Sequence, residues 1–147
     1  MKKVGIIGGG AMGSGIAQVA ATAGHSVVLF DTKVEALSLS KSKLAKVMAS
    51  LVEKEKLTSE VAEAIQGRIS YADNLEAISE SGIIIEAIVE NLAIKKSVFS
   101  SVEKLVSADC ILASNTSSLS IASIAAACEK PERVIGIHFF NPAPLMP

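Results

Sequence analysis

A chain of 147 residues has the length of one domain, and with 50% of its residues apolar and 20% charged it can bury a sizeable core rather than stay disordered. A formal net charge of −1 gives nucleic acid or an anionic membrane no electrostatic grip, and 3% aromatic residues with no Trp leave little for base stacking. Two His and two Cys, with Cys110 and Cys128 in no paired or His-associated motif, do not make a usual zinc site; no metal is expected, only two reduced, buried thiols in a cytoplasmic protein.

Met1-Lys2-Lys3 and the uncharged stretch over residues 4–24 imitate a signal peptide or a membrane span. Gly5, Gly8, Gly9, Gly10, Gly13 and Gly15 crowd that stretch, and each glycine costs a helix roughly 1 kcal/mol. A strand–turn–helix fits the same residues better. The strand covers residues 4–7, and the helix carries Met12, Ile16, Val19, Ala20 and Ala23 at helical spacing until Gly24 closes it. Residues 26–30 form a second strand ending at Asp31.

Residues 34–66 read as two helices broken near residues 57–59, a helical hairpin inserted after the second strand. Thr58 or Ser59 offers the N-cap of the second helix, and Glu60 and Glu63 suit its start. Leu37, Leu44, Val47 and Leu51 form the apolar stripe of the first. Lys41, Lys43, Lys46, Lys54 and Lys56 lie on its other faces, first as a solvated surface and second as one that an anionic ligand could meet. The alternation then resumes. Strands are expected over residues 68–71, 83–87, 110–113 and 133–139, with helices over 75–80, about 94–106 and 119–127. Ile94, Val98, Val102, Leu105 and Val106 are expected to mark the buried face of the middle helix. The whole predicts an α/β fold, Rossmann-type and doubly wound, with a mostly parallel sheet.

Gly8-Gly9-Gly10-Ala11-Met12-Gly13 fits G-x-G-x-x-G, and its meaning comes from its place between a strand and a helix. Gly8 allows the tight turn, Gly10 clears the approach of a pyrophosphate, and Gly13 lets helix and strand pack closely. Ala11 and Met12 open the helix whose N-terminal amides favour the diphosphate. Asp31, 18 residues after Gly13, is placed to accept hydrogen bonds from the adenosine ribose and to repel the extra phosphate of NADP, so the cofactor is expected to be NAD.

A second constellation lies at the carboxyl ends of the later strands, where open parallel sheets bind their ligands. His138, in Gly-Ile-His-Phe-Phe-Asn-Pro, sits at the end of the last strand, and a group with an unperturbed pKa of about 6.5 suits proton exchange with an alcohol. The alternative is a packed or capping histidine, the reading preferred for His25. Residues 114–118, Ser-Asn-Thr-Ser-Ser, can orient a carbonyl and a nicotinamide amide, or can cap the following helix, with Ser118 as the expected cap. Glu86 and Glu90 flank the end of the fourth strand. Glu90 either is a solvated carboxylate at a helix start or lines the cleft.

Four motifs in order, Gly-Gly-Gly-Ala-Met-Gly-Ser-Gly-Ile-Ala, Glu-Ala-Ile-Val-Glu-Asn-Leu, Ser-Asn-Thr-Ser-Ser-Leu and Gly-Ile-His-Phe-Phe-Asn-Pro-Ala-Pro-Leu-Met, resemble the 3-hydroxyacyl-CoA dehydrogenases over nearly all 147 residues. The resemblance implies NAD-dependent interconversion of (3S)-3-hydroxyacyl-CoA and 3-oxoacyl-CoA. It implies His138 as the catalytic base, Ser117 as a contact of substrate and cofactor, and Asn141 at the nicotinamide end. Glu90 and Lys95 match cofactor-contacting positions, Asp31 matches the ribose acid, and the helical insertion resembles the family's CoA-contacting arm. In that family a glutamate about a dozen residues beyond the histidine completes a dyad, and a helical second domain closes the cleft and makes a homodimer. Residues 1–141 are therefore expected to be the NAD-binding domain and residues 142–147 the start of a linker to a domain absent from this chain, which alone should turn over little. Two other readings remain: a sugar-acid oxidoreductase resembling L-gulonate 3-dehydrogenase, and a non-catalytic NAD-binding module.

Overall fold

Short runs of β-branched and aliphatic residues with no polar alternation belong to strands covered on both faces. The computed structural model, which describes residues 2–146, arranges them so. Strands β1 (Val4–Ile7), β2 (Val27–Phe30), β3 (Ile69–Ala72), β4 (Ile83–Glu86), β5 (Ile111–Ser114) and β6 (Val134–Gly136) form one sheet in the order β3-β2-β1-β4-β5-β6. All five pairings are parallel. The order reverses between β1 and β4, and there a crevice opens beyond the carboxyl ends of the strands.

The period-2 alternation of the strands splits the core into two layers. Val4, Ile6, Val27, Leu29 and Ile85 pack with Ile16 and Ala17 of α1 (Ala11–Thr22), and with Leu44 and Met48 of α2 (Val34–Glu53). Ile65 of α3 (Ser59–Gly67) joins the same layer. Ile7, Val28, Phe30, Ile84 and Leu112 point the other way, toward Phe99 and Val102 of α4 (Leu92–Leu105) and Ile124 of α5 (Ile121–Ala125). The insertion is the expected helical hairpin, with Thr58 capping α3 by accepting from the Val61 amide.

Several boundaries and faces differ from the sequence reading. The residues 75–80 helix is a single 3-10 turn over Leu75–Ile78, capped by the Asn74 side chain. The last strand stops at Gly136, so His138 lies beyond the strand, on the segment that crosses the sheet edge. The cap of α5 is Ser120, which accepts from the Ser123 amide; Ser118 instead donates to Glu90. On α2 the third member of the buried stripe is Met48, while Val47 is 41% exposed. On α4 the buried face is Lys95, Phe99 and Val102, and Ile94 points outward. Residues 143–145, expected to lead out of the domain, make a 3-10 turn docked on α1 through buried Ala143. No helix among the described residues is long and apolar enough to cross a membrane.

Candidate functional site

The glycine turn is held by sterics that only glycine satisfies. Gly8 has φ +114°, in the region L side chains avoid, and its amide donates to the Phe30 carbonyl at 2.8 Å. A Cβ on Gly13 would lie 1.7 Å from the Gly8 carbonyl oxygen, which is how closely α1 approaches β1. Gly10 is different, since a Cβ there meets nothing within 4 Å. It faces open space at the helix start, where it is the N-cap and offers no side chain to the first amides of α1. Those orphan amides and the positive end of the helix suit a diphosphate.

Asp31, at the end of β2, braces this turn. Its Oδ2 accepts from the Gly9 amide at 2.7 Å and its Oδ1 from the Lys33 amide at 2.8 Å. A carboxylate accepts about four hydrogen bonds, so two sites remain for a ribose diol. The turn and Asp31 are thus one unit, and the residues present fit a dinucleotide.

The chemistry end is a cleft of about 300 Å³ at the ends of β4, β5 and β6. It brings together Met12 of the glycine turn with Glu90, Lys95, Ser117, His138 and Asn141. Gly10 and Ala11 line instead a neighbouring cleft of about 340 Å³ between α1 and α2, which Asn141 shares and Lys43 also lines. Gly8 and Gly13 are buried behind the turn and Asp31 stands at its β2 side, so none of the three lines the chemistry cleft. His138 is exposed, and its ring lies against Phe140 with centroids 5.1 Å apart. The segment carrying it is anchored twice: the Ile137 amide donates to the Ser114 carbonyl, and the Phe139 amide to Asn115 Oδ1 at 2.7 Å.

Beneath the cleft runs a network whose full extent the sequence did not disclose. Glu86 and Ser114 end adjacent strands in register, both fully buried. Glu86 accepts from Ser114 Oγ at 2.6 Å, from the Ile88 amide at 2.8 Å and from Lys95 Nζ at 2.5 Å. Lys95 is itself 0% exposed, and its ammonium also reaches Glu90 Oε1 at 3.2 Å and the Ile88 carbonyl at 3.3 Å. Three protons meet three acceptors. Thr116 and Ser118 donate to Glu90 Oε2 at 2.6 and 3.1 Å. Glu90 keeps features of both sequence readings: its side chain is 42% exposed just before α4, and it also lines the cleft.

Partial burial pushes the Glu90 carboxyl up, but the hydrogen bonds from Thr116, Lys95 and Ser118 and the Lys95 charge outweigh it and hold it below the ordinary 4.5. A carboxyl depressed in the folded state contributes stability above its unfolded pKa and loses it as pH falls through the folded value. The stability gap between the wild type and Glu90→Gln is therefore expected to be fully open at neutral pH. It should close as pH drops below 4.5, as thermal unfolding across the acid range would show. A gap that stays constant with pH would mean that the carboxylate's charge plays no part.

Sequence reasoning placed Thr116 among the polar residues 114–118 but did not pair it with Glu90, and it missed the connecting role of Glu86. The available signal was polar residues ending two adjacent apolar strands, since a buried polar group needs a partner. Cys110 and Cys128 are buried free thiols, both pushed up by that burial. Among the described residues no group of His, Cys, Asp and Glu is placed to hold a metal.

The profile of the family described as "3-hydroxyacyl-CoA dehydrogenase, NAD binding domain" matches residues 3–147. A probable 3-hydroxybutyryl-CoA dehydrogenase of Deinococcus radiodurans is 45% identical over 98% of this chain and 51% of its own length. Its counterpart in Bacillus subtilis is 44% identical over 99% of this chain and 51% of its own. The crystal structure of 3-hydroxybutyryl-CoA dehydrogenase from Escherichia coli K12 superposes with a TM-score of 0.97 at 41% identity, covering 99% of this chain and 31% of that one. The (S)-3-hydroxybutyryl-CoA dehydrogenase of Ralstonia eutropha gives 0.95 at 38% identity, covering 99% of this chain and 52% of that one. This chain thus spans about half the length of these two curated relatives. With its glycine turn, Asp31 at the end of β2 and its sheet order in place, the chain belongs to the 3-hydroxyacyl-CoA dehydrogenase family and is its NAD-binding domain.

Proposed function

We propose that this chain is the cofactor-binding part of an enzyme that interconverts (3S)-3-hydroxyacyl-CoA and 3-oxoacyl-CoA. The observation that carries the reading is the one cleft that gathers His138, Ser117 and Asn141 beside the start of α1. A proton acceptor and two hydrogen-bonding groups there adjoin the dinucleotide turn. NAD, when bound, supplies the hydride acceptor. His138 takes the proton of the substrate hydroxyl and returns it in the reverse direction. The Ser117 hydroxyl and Asn141 amide hold substrate and nicotinamide in line, and positioning of this kind is worth roughly 7–11 kcal/mol at best. Glu90 contacts the cofactor, and Lys95, its protons already committed, acts mainly by holding Glu90.

The names of the relatives support a CoA thioester as substrate, and Lys43 at the cleft beside α2 supports the insertion as the arm that meets it. On the same reading residues 142–147 begin the linker to a helical second domain, which completes the pocket and makes a homodimer in the cytoplasm.

Single-turnover reduction of acetoacetyl-CoA by chain-bound NADH, followed by NADH absorbance, tests the role of His138. His138→Gln is expected to lower the rate by roughly 10²–10⁴, the usual contribution of a positioned acid–base group, with NADH binding intact. A measurable rate that His138→Gln leaves unchanged would remove the histidine from the mechanism.

A further inference from the structure

The network under the cleft has a charge count that does not depend on where its protons sit. Glu86 and Lys95 lie 2.5 Å apart with side chains 0% and 1% exposed. Whether the pair is carboxylate and ammonium or acid and amine, its sum is zero. Glu90 is then the remainder. Its carboxylate keeps one oxygen on Lys95 and the other on Thr116 and Ser118, and its side chain is 42% exposed toward the cleft that holds His138, Ser117 and Asn141.

We propose that Glu86, Lys95 and Glu90 together present one uncompensated negative charge, on Glu90, to the nicotinamide, and so favour the oxidised cofactor over the reduced one. This rests on the reading that the cleft receives the nicotinamide. The oxidised ring carries a positive charge, and the ring loses it on accepting hydride. A fixed negative charge beside it therefore interacts with the two redox forms unequally. Hydrogen bonding or shape would treat both nearly alike. Glu86 is a positioning residue here: it touches only protein groups, and it neutralises Lys95 so that the ammonium does not cancel Glu90. Without Glu86, the Lys95–Glu90 pair would sum to zero and the preference would vanish. The hydroxyls of Thr116 and Ser118 keep the carboxylate in place without altering its charge.

Calorimetric titration of the chain with NAD+ and, separately, with NADH reads this directly. Glu90→Gln keeps the side chain's size and an oxygen for Thr116. It should weaken NAD+ about fivefold, the scale of a partly solvated charge interaction, and NADH less than about twofold. Glu90→Asp retains the charge and should keep the ratio of the two affinities even if both fall. Raising the salt concentration should shrink the wild-type ratio toward that of Glu90→Gln. Equal loss of both cofactors in Glu90→Gln, or no change in either, would overturn the proposal while leaving the cofactor site standing. A folded wild-type chain that bound neither form would overturn both.

Discussion

Lys95→Met is expected to cost about 3–5 kcal/mol of folding stability, because it strands the fully buried Glu86 carboxylate without its cation. Domains of this size are stable by only about 5–15 kcal/mol, so the loss should be plain in chemical denaturation. Ser114 and the Ile88 amide would still donate to Glu86, yet two neutral donors do not replace an ammonium at 2.5 Å. Adding Glu86→Gln to Lys95→Met should recover a large part of the loss, since a neutral amide can accept from the Ile88 amide with its oxygen and donate to the Ser114 hydroxyl with its nitrogen. The double change would then be far less costly than the sum of the single ones, as expected of residues that share one network. Losses that simply add, or a Lys95→Met cost below about 1 kcal/mol, would show that the pair is not coupled.

The second large effect separates the two jobs of the glycine turn. Gly13→Ala would force a Cβ to within 1.7 Å of the Gly8 carbonyl oxygen. That carbonyl cannot swing away, because Gly8 is fixed at φ +114° and its amide is pinned to Phe30. Overpacking commonly costs about 1–3 kcal/mol, and a backbone clash this close belongs at or above the upper end. Gly10→Ala meets nothing within 4 Å, so stability should stay within about 0.5 kcal/mol of the wild type. Cofactor affinity should nonetheless fall by at least roughly tenfold, since the methyl group stands where the diphosphate must come close. Thermal unfolding and NADH titration of both variants check the contrast. A Gly10→Ala chain that binds NADH normally would mean that the diphosphate lies elsewhere.

Much of this molecule was legible in its residues because strand and helix carry different periods. The runs at residues 4–7, 27–30 and 83–85 are apolar without interruption, which only a sheet covered on both faces permits. The glycine motif gained its meaning from its place between β1 and α1, and Asp31 from its place at the end of β2. The phase of α4 was not legible, and for a physical reason. Its true buried face runs Lys95, Phe99, Val102 at helical spacing, but a lysine in first position looks like solvent. The pattern therefore took Ile94 and Val98 in place of Lys95 and Phe99; Val102 and Val106 are buried as expected, but Ile94 is exposed. Only the acids brought from β4 and the following loop make a buried Lys95 tolerable, and contacts between elements are invisible in a linear pattern. The same limit hid the pairing of Thr116 with Glu90, which lies 26 residues away. At the other edge, β6 ends three residues early because its segment turns to meet Ser114 and Asn115, an anchor that strand propensity does not report.

The site inherits its logic from this arrangement. On the proposed reading the carboxyl ends of β1 and β2 supply the diphosphate turn and, in Asp31, the ribose acid, and those of β4, β5 and β6 supply Glu90, Ser117 and His138. The rigid sheet sets the span between the two halves, and the Glu86–Lys95 pair ties β4 to α4 beneath the cleft.

Calorimetric titration of the chain with NADH, followed by acetoacetyl-CoA added to the NADH complex, tests the central claim most directly. The account predicts saturable binding of one NADH per chain, weakened by Gly10→Ala and not by His138→Gln, and heat from the thioester only once NADH is bound. A folded chain that gave no heat with NADH would contradict it.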